Sequence, residues 1–121
     1  MKDNLFGAPI FTYSRRQAIE DGVLVDLSTL PISRQHWKLP IVCTSSVWCL
    51  IEDAVKDHGN DTTGILHDLY CLAKIHIEPN KSTDRINFKA TVGVKTHAFI
   101  LHCGPGDTVM PVLTLMTPGD D

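Results

Sequence analysis

Several features that would assign this chain to a specialised class of protein are missing from its sequence. No apolar run has the length needed to cross a bilayer, and the first residues, Met1–Leu5, contain no apolar signal core. An excess of charge of one sign is also missing, because 11 basic and 14 acidic side chains leave a net charge of −3. So small a charge does not favour binding to nucleic-acid backbones. We therefore expect a soluble cytoplasmic protein without a membrane partner, and nucleic acid is disfavoured as a partner.

The four cysteines lack the paired short spacings of a disulfide or zinc framework, and no secretory signal indicates an oxidising compartment. We predict that they are reduced and serve as small hydrophobic residues. Motifs of nucleic-acid binding, such as zinc-finger or RNP signatures, are absent as well. No Lys or Ser/Thr follows Gly104–Asp107 at the spacing of a phosphate-binding loop, so this glycine-rich segment is predicted to be a tight turn.

What is present is the composition of one ordinary globular domain. The chain has 121 residues, of which 43% are hydrophobic and 21% charged, and no internal repeat divides it. We therefore predict a single globular domain over residues 1–121.

The N-terminal half carries the signals of a short helix, a strand and a loop. A capping box at Ser14–Gln17 predicts a helix over residues 15–21. The β-branched and apolar segment Val23–Leu27 predicts a short strand. The segment bracketed by Pro31 and Pro40 is polar, and it predicts a long loop.

The remaining sequence predicts a helical hairpin followed by a strand meander. Apolar residues recur at helical spacing over Val47–Val55 and over Leu66–Ala73, and period-two alternation begins at Ile86. The predicted fold class is α+β: a small single domain in which a three-stranded antiparallel C-terminal meander packs against two to three helices, with a short N-terminal strand as an extension. Pro111–Met116 is expected at the sheet edge, where it could pair with a second copy, so both a monomer and a homodimer are compatible with the pattern.

Arg15 and Arg16 are the most unusual local feature, because they lie in the first turn of a predicted helix, where the helix dipole is already positive. One interpretation is that they pair with the acidic residues of Glu20–Asp26. The other is that they bind a phosphate, a carboxylate or a partner protein, together with a basic loop in which we expect Trp37 to be exposed. The candidate anion-binding or partner-binding residues are Tyr13, Ser14, Arg15, Arg16, Arg34 and Trp37.

His67 and Cys71 lie four residues apart on a predicted helix, a spacing that directs both side chains to one point. They could supply two zinc ligands, whereas a structural zinc site takes four, so Cys43, Cys49, His58 or His76 would have to converge on them from elsewhere. The alternative is that both are ordinary, partly buried side chains. We therefore assign no metal ligand, no cofactor and no catalytic residue from the sequence, and the participation of this pair in a metal site stays open.

Two blocks of the chain resemble a known family. Phe11–Ser28, with the sequence FTYSRRQAIEDGVLVDLS, and Cys103–Asp107, with the sequence CGPGD, are similar to the small plasmid-related proteins of unknown function known as DUF6573. The likeness runs from end to end and includes Pro111–Met116 with its acidic terminus. The chain departs from that family's pattern in the third helix, where His67 and Cys71 lie in a region that has tryptophans in the family. The resemblance implies a protein of plasmids, phages or other mobile genetic elements, and it implies no catalytic residues.

Small size, the lack of a convincing catalytic set and this resemblance together favour a noncatalytic accessory protein that binds a host or element protein. An anti-defence factor of the anti-CRISPR kind is one form of this hypothesis. The alternative is a nucleotide or phosphate-ester-binding enzyme in which Arg15 and Arg16 hold the anion and a histidine is the general acid or base. Enzymatic activity is therefore left open by the sequence.

Overall fold

The computed structural model describes residues 14–77, 84–105 and 110–120 of the chain. Over these residues the protein has an α+β fold in which four α-helices pack against a five-stranded mixed sheet. None of the helices described is both long and apolar enough to cross a membrane. The elements are α1 (Arg15–Glu20), β1 (Leu24–Asp26), α2 (Pro31–His36), β2 (Ile41–Thr44), α3 (Ser45–His58), α4 (Thr62–Ile75), β3 (Arg85–Val92), β4 (Lys95–Pro105), β5 (Pro111–Met116) and a 3-10 turn (Pro118–Asp120).

The strands follow the order β1-β2-β5-β4-β3, with β2 parallel to β5 and every other neighbouring pair antiparallel. The α+β class is thus confirmed, but the expected three-stranded sheet is too small, because β1 and β2 join the C-terminal strands through β5. The prediction that Pro111–Met116 lies at the sheet edge is wrong for the same reason, since β5 is hydrogen-bonded on both sides. The predicted tight turn at Gly104–Asp107 lies partly outside the described residues.

The hydrophobic core lies between the sheet and helices α3 and α4. On β3, Phe88, Ala90 and Val92 are buried and alternate with exposed residues, as period-two patterning predicts. Phe88 stacks on Phe99 of β4 with ring centroids 5.7 Å apart. Burial of each large apolar side chain contributes roughly 1.5–3 kcal/mol of transfer free energy. The residues of α4 that were expected to face inward are all buried: Leu66, Leu69, Tyr70 and Ala73.

Helix α2 replaces the loop expected after Pro31. This proline is the first residue of the helix, where its fixed φ suits the helical backbone and its missing N–H would have no intrahelical partner. Ile32 and Ser33 are buried, and the extended backbone of Trp37 ends the helix. The loop prediction is wrong because a proline in the first turn starts a helix, whereas one in the interior breaks it.

The starts of helices α1 and α3 are hydrogen-bonded caps. The side chain of Ser14 accepts a hydrogen bond of 2.9 Å from the backbone N–H of Gln17, which confirms the predicted start of the first helix. At α3, the hydroxyl of Thr44 accepts from the backbone N–H of Val47 at 3.4 Å. Each cap satisfies a backbone donor that the helix itself leaves free.

The C-terminal 3-10 turn is hydrogen-bonded to the start of α3. The carboxylate of Asp120 accepts from the hydroxyls of Thr44 at 2.7 Å and of Ser46 at 2.9 Å. It also accepts from the backbone N–H and the hydroxyl of Thr117. Burial opposes the charged form of Asp120, but these hydrogen bonds outweigh it and lower the pKa of the carboxyl group.

Candidate metal centre between α2 and α4

A buried hydrogen bond joins α2 to α4. The hydroxyl oxygens of Ser33 and Tyr70 are 2.7 Å apart, and the two residues are only 2% and 1% exposed. Burial raises the pKa of Tyr70 to about 12, so its phenol remains protonated and the pair stays neutral at physiological pH. The ring of Trp37 also meets Tyr70 edge-on, with centroids 5.6 Å apart. These contacts place His36, the last residue of α2, against one flank of α4.

His36, His67 and Cys71 form a cluster on that flank. The Nε2 atom of His36 is 3.1 Å from Nδ1 of His67, and Nε2 of His67 is 3.6 Å from the sulfur of Cys71. One potential ligand atom from each residue lies within 4.8 Å of the other two. His67 is exposed and the other two residues are half-buried, so an ion from solvent can reach all three.

The spacing along α4 explains half of this cluster. His67 and Cys71 are four residues apart and meet on one face, as their spacing predicts. The third donor is His36, which lies 31 positions from His67, and not Cys43, Cys49, His58 or His76, which were the further ligands considered from the sequence. The segment that contains His36 is predicted as a loop, and a loop prediction does not indicate where its side chains lie relative to α4. The useful signal was Pro31, which marks the start of a helix ending at His36.

Lys74 completes the cluster and determines the direction of its hydrogen bonds. Its ammonium nitrogen is 2.9 Å from Nδ1 of His36 and 5.2 Å from the ring centroid of Trp37, which is cation–π distance. Because an ammonium group can only donate, Nδ1 of His36 is the acceptor and the neutral ring carries its proton on Nε2. That N–H then donates to Nδ1 of His67, whose own proton on Nε2 points to the sulfur of Cys71.

The surroundings of His36 favour its neutral form. Burial, the nearby charge of Lys74 and the neighbouring His67 all lower the pKa of His36. Neutral imidazole is the form of histidine that binds metal ions. The local electrostatics therefore keep His36 in the protonation state that a ligand requires.

The donor set of the cluster is that of a transition-metal site. Two imidazole nitrogens and a thiolate suit Zn²⁺ and related ions, whereas Mg²⁺ and Ca²⁺ prefer oxygen ligands. Donors around a tetrahedral zinc ion lie roughly 3.3–3.7 Å apart, so the separation of up to 4.8 Å must shorten by about 1 Å through side-chain rotation. Three protein ligands would leave a fourth coordination position for water or another ligand.

The chain matches no protein-family model, no curated protein and no solved structure. The resemblance to small plasmid-related proteins therefore stays a prediction. The capability of the cluster follows from the chemistry of its own residues.

Arg15 and Arg16, which were candidates for one anion-binding site, point to different surroundings. The guanidinium group of Arg15 donates to the hydroxyl of Thr114 at 3.1 Å and to the carbonyl of Leu113 at 2.7 Å. Because Thr114 alternates with the buried Leu113 along β5, Arg15 lies on the face of the sheet opposite α4. Arg16 lies 4.0 Å from Glu20 on an exposed surface, so one of the expected acidic pairings is present.

The other predicted site residues are distributed between α1 and α2. Ser14 is occupied as the cap of α1, and Tyr13 lies outside the described residues. Arg34 is exposed on α2 and donates to the backbone carbonyl oxygen of Ser28 at 3.3 Å. The expectation that Trp37 is exposed is wrong: its ring is half-buried against the core because α2 carries it onto α4. Trp37 thus lies beside the cluster of His36, His67 and Cys71, whereas Arg34 contacts the segment between β1 and α2.

Proposed function

We propose that this chain binds a transition metal ion of the zinc class through His36, His67 and Cys71. The observation that supports it is the convergence of three donor atoms within 4.8 Å, from two helices that a buried hydrogen bond holds in register. A metal ion there would cross-link α2 to α4 in the folded state only. Such binding raises the free energy of unfolding by about 2.7 kcal/mol at a free metal concentration one hundred times the Kd.

Cobalt(II) is the probe for this proposal, because a thiolate–cobalt bond gives a strong charge-transfer absorption. We expect cobalt titration of the reduced protein to produce this absorption and zinc to remove it. Cys71→Ser should abolish it. Cys49→Ser, which removes an exposed cysteine on α3, is the matched control and should retain it. Equal absorption in Cys71→Ser and in the parent protein, or none in the parent, would contradict the proposal.

For the role of this centre we propose a noncatalytic accessory protein that binds a host or element protein, with an anti-defence factor as one form. The group of three donors consists of two histidines and one cysteine. Its fourth coordination position would open near an exposed His67, where a partner can supply a ligand. Ile75, one helical turn after Cys71, and Ile77, just beyond the end of α4, are 75% and 43% exposed and add apolar surface. The setting in a mobile element is supported by the family resemblance.

This role is tested by affinity capture from host lysate in the presence of zinc and of a chelator. We expect a reproducible partner whose capture requires zinc and is lost with Cys71→Ser or Ile75→Asp. Val94→Asp, at a residue that is 73% exposed in the turn between β3 and β4, is the matched control and should retain the partner. Capture that is unaffected by both α4 variants, or the absence of any reproducible partner, would refute the role.

A phosphate-ester-binding enzyme is the second candidate, and one observation favours it. Arg15 donates to Thr114, and Thr114 lies opposite His102 in the register of β5 and β4. A guanidinium group and an imidazole therefore share one face of the sheet, as an arginine anion site with a histidine acid or base requires. Thermal stabilisation by nucleotides or inorganic phosphate should be lost with Arg15→Met and His102→Asn and retained with Arg16→Met. No stabilisation by any phosphate ligand would remove this candidate.

A further inference from the structure

We infer that the ammonium group of Lys74 competes directly with the metal ion, and that it must leave His36 before the ion can bind. This inference rests on the metal centre proposed above and concerns its control. It follows from the direction of the hydrogen bonds in the cluster.

The first step concerns the nitrogen atoms of His36. Nδ1 accepts from Lys74 at 2.9 Å and Nε2 contacts His67 at 3.1 Å, so both ring nitrogens are already engaged. If the ion binds Nε2, the ring proton must move to Nδ1. The new N–H would then face the ammonium group of Lys74, and two hydrogen-bond donors cannot bond to each other. If the ion binds Nδ1, it takes the place of the ammonium group itself. In either case Lys74 loses its acceptor.

The second step is a comparison with the surroundings that metal-binding histidines usually have. The ring nitrogen that is not bound to the metal normally donates its N–H to a carboxylate, a carbonyl or a water molecule, which orients the ring and strengthens the ligand. Lys74 has the opposite polarity, because it is a donor, and its positive charge repels a second cation. Lys74 therefore favours the metal-free state of His36 over the metal-bound state.

The third step is the balance of protons and charge when the ion binds. The thiol of Cys71 loses its proton to solvent and binds as a thiolate. The proton of His36 is transferred from one ring nitrogen to the other if Nε2 is the ligand, so the ring stays neutral. Lys74 remains an ammonium ion and turns into water, which its exposed position on α4 allows. One dication is thus bound and one proton is released.

The departure of Lys74 has an optical reporter in Trp37. The ammonium nitrogen lies 5.2 Å from the centre of the indole ring, and the emission of an indole responds to a charge at that distance. The chain contains two tryptophans, so Trp48→Phe leaves Trp37 as the single emitter. Zinc is the appropriate titrant because it is redox-inert and does not itself quench fluorescence.

The experiment compares zinc titrations of Trp48→Phe with those of the same variant carrying Lys74→Met. We expect zinc to change the emission of Trp37 in the first protein, and this change to be absent when the ammonium group is absent. The affinity for zinc, measured by competition with a coloured chelator, should be about 10-fold higher with Lys74→Met, as expected when a hydrogen bond to a charged group no longer has to be broken. Lys56→Met, the same substitution on α3, should leave the affinity unchanged.

A second variant and a second metal keep the inference falsifiable. Lys74→Arg retains a cationic donor and should keep the affinity near that of the parent. Cobalt affinities in the protein with both tryptophans repeat the comparison if Trp48→Phe is poorly folded. If cobalt binds through Cys71 but Lys74→Met has unchanged or weaker affinity, the competition is refuted while the metal centre stands. If no metal binds to any variant, the proposed metal centre fails and the inference fails with it.

Discussion

Tyr70→Phe removes one oxygen atom from the contact between α2 and α4 and leaves the shape of the ring unchanged. The hydroxyl of Ser33, in a residue that is only 2% exposed, then loses the partner that lay 2.7 Å away. An unsatisfied buried hydroxyl costs about 1–3 kcal/mol, and Ser33→Ala strands the phenol of Tyr70 at a similar cost. The double variant strands neither group, so its loss of stability should be smaller than the sum of the two single losses by about 1–2 kcal/mol.

Urea unfolding followed by circular dichroism measures these differences, and each kcal/mol should lower the Tm by about 4 °C in a domain of this size. Ser45→Ala, at an exposed serine on α3, is the matched control and should change stability by less than about 0.5 kcal/mol. The same double-mutant cycle bears on the metal centre, because cobalt should bind more weakly to Tyr70→Phe although all three proposed ligands are intact.

The pH dependence of stability tests the same residue independently. Burial raises the pKa of Tyr70 from 10.0 to about 12 in the folded protein, so the unfolded chain loses this proton first as the pH rises. The contribution to stability is therefore fully present below pH 10 and is lost between pH 10 and about 12. At about 1.4 kcal/mol per pH unit, the loss approaches about 3 kcal/mol. The role of this contact would be refuted if the free energy of unfolding fell equally with pH above pH 10 in the parent and in Tyr70→Phe. It would also be refuted if the stability losses of the two single variants added up to that of the double variant.

Three further substitutions have expected outcomes. Cys43→Ala should reduce the loss of stability that begins near pH 9.0, because burial raises the pKa of this thiol to about 12. Urea unfolding at increasing pH measures this difference. Asp120→Asn should lower the free energy of unfolding by about 1 kcal/mol or less at neutral pH, because the carboxylate is exposed. In thermal melts of the parent protein, the same contribution to stability should be lost as the pH falls below 3.8 and through the lowered pKa of Asp120. Gly93→Ala should lower the free energy of unfolding by about 1–3 kcal/mol, because φ is +71° and a Cβ atom would lie 3.0 Å from His58. Gly59→Ala should cost less in the same urea unfolding assay, because φ is similar, at +68°, but a Cβ atom there would meet open space.

The elements with long periodic patterns were predictable, and short elements were predictable only where a local signal marks them, as the capping box marks α1 and the β-branched segment marks β1. Helices α3 and α4 each span 14 residues, so burial of one side imposes several repeats of the helical period on the sequence. Helix α2 has only six residues, fewer than two turns, and shows no such repeat. The pairing of Ile41 with Leu113 is parallel and joins distant segments, so no local pattern indicates it. The full sheet order therefore depended on tertiary contacts.

Some residues of the candidate site were also predictable from the sequence, and others were not. The spacing of His67 and Cys71 predicts that they meet, because both lie on one long helix. Lys74 follows Cys71 by three residues and was within reach of the same reasoning. His36 was not, because its position depends on the contact between Ser33 and Tyr70 across two helices. Arg15 and Arg16 attracted attention because of their local position in a helix start, but Arg15 contacts another face of the sheet and Arg16 contacts Glu20 on its own helix.

The parallel pairing of β2 with β5 has a consequence for synthesis on the ribosome. β1 and β2 share no hydrogen-bonded neighbour with β3 and β4 until β5 is inserted between the two pairs. The pair β1–β2 emerges early, but the strand that joins it to the other pair contains residues 111–116 and is made much later. Domains dominated by such non-local pairings fold slowly, and their unpaired strand edges are open to wrong partners in the meantime. Until β5 pairs with both β2 and β4, each half of the sheet therefore keeps one unpaired inner edge.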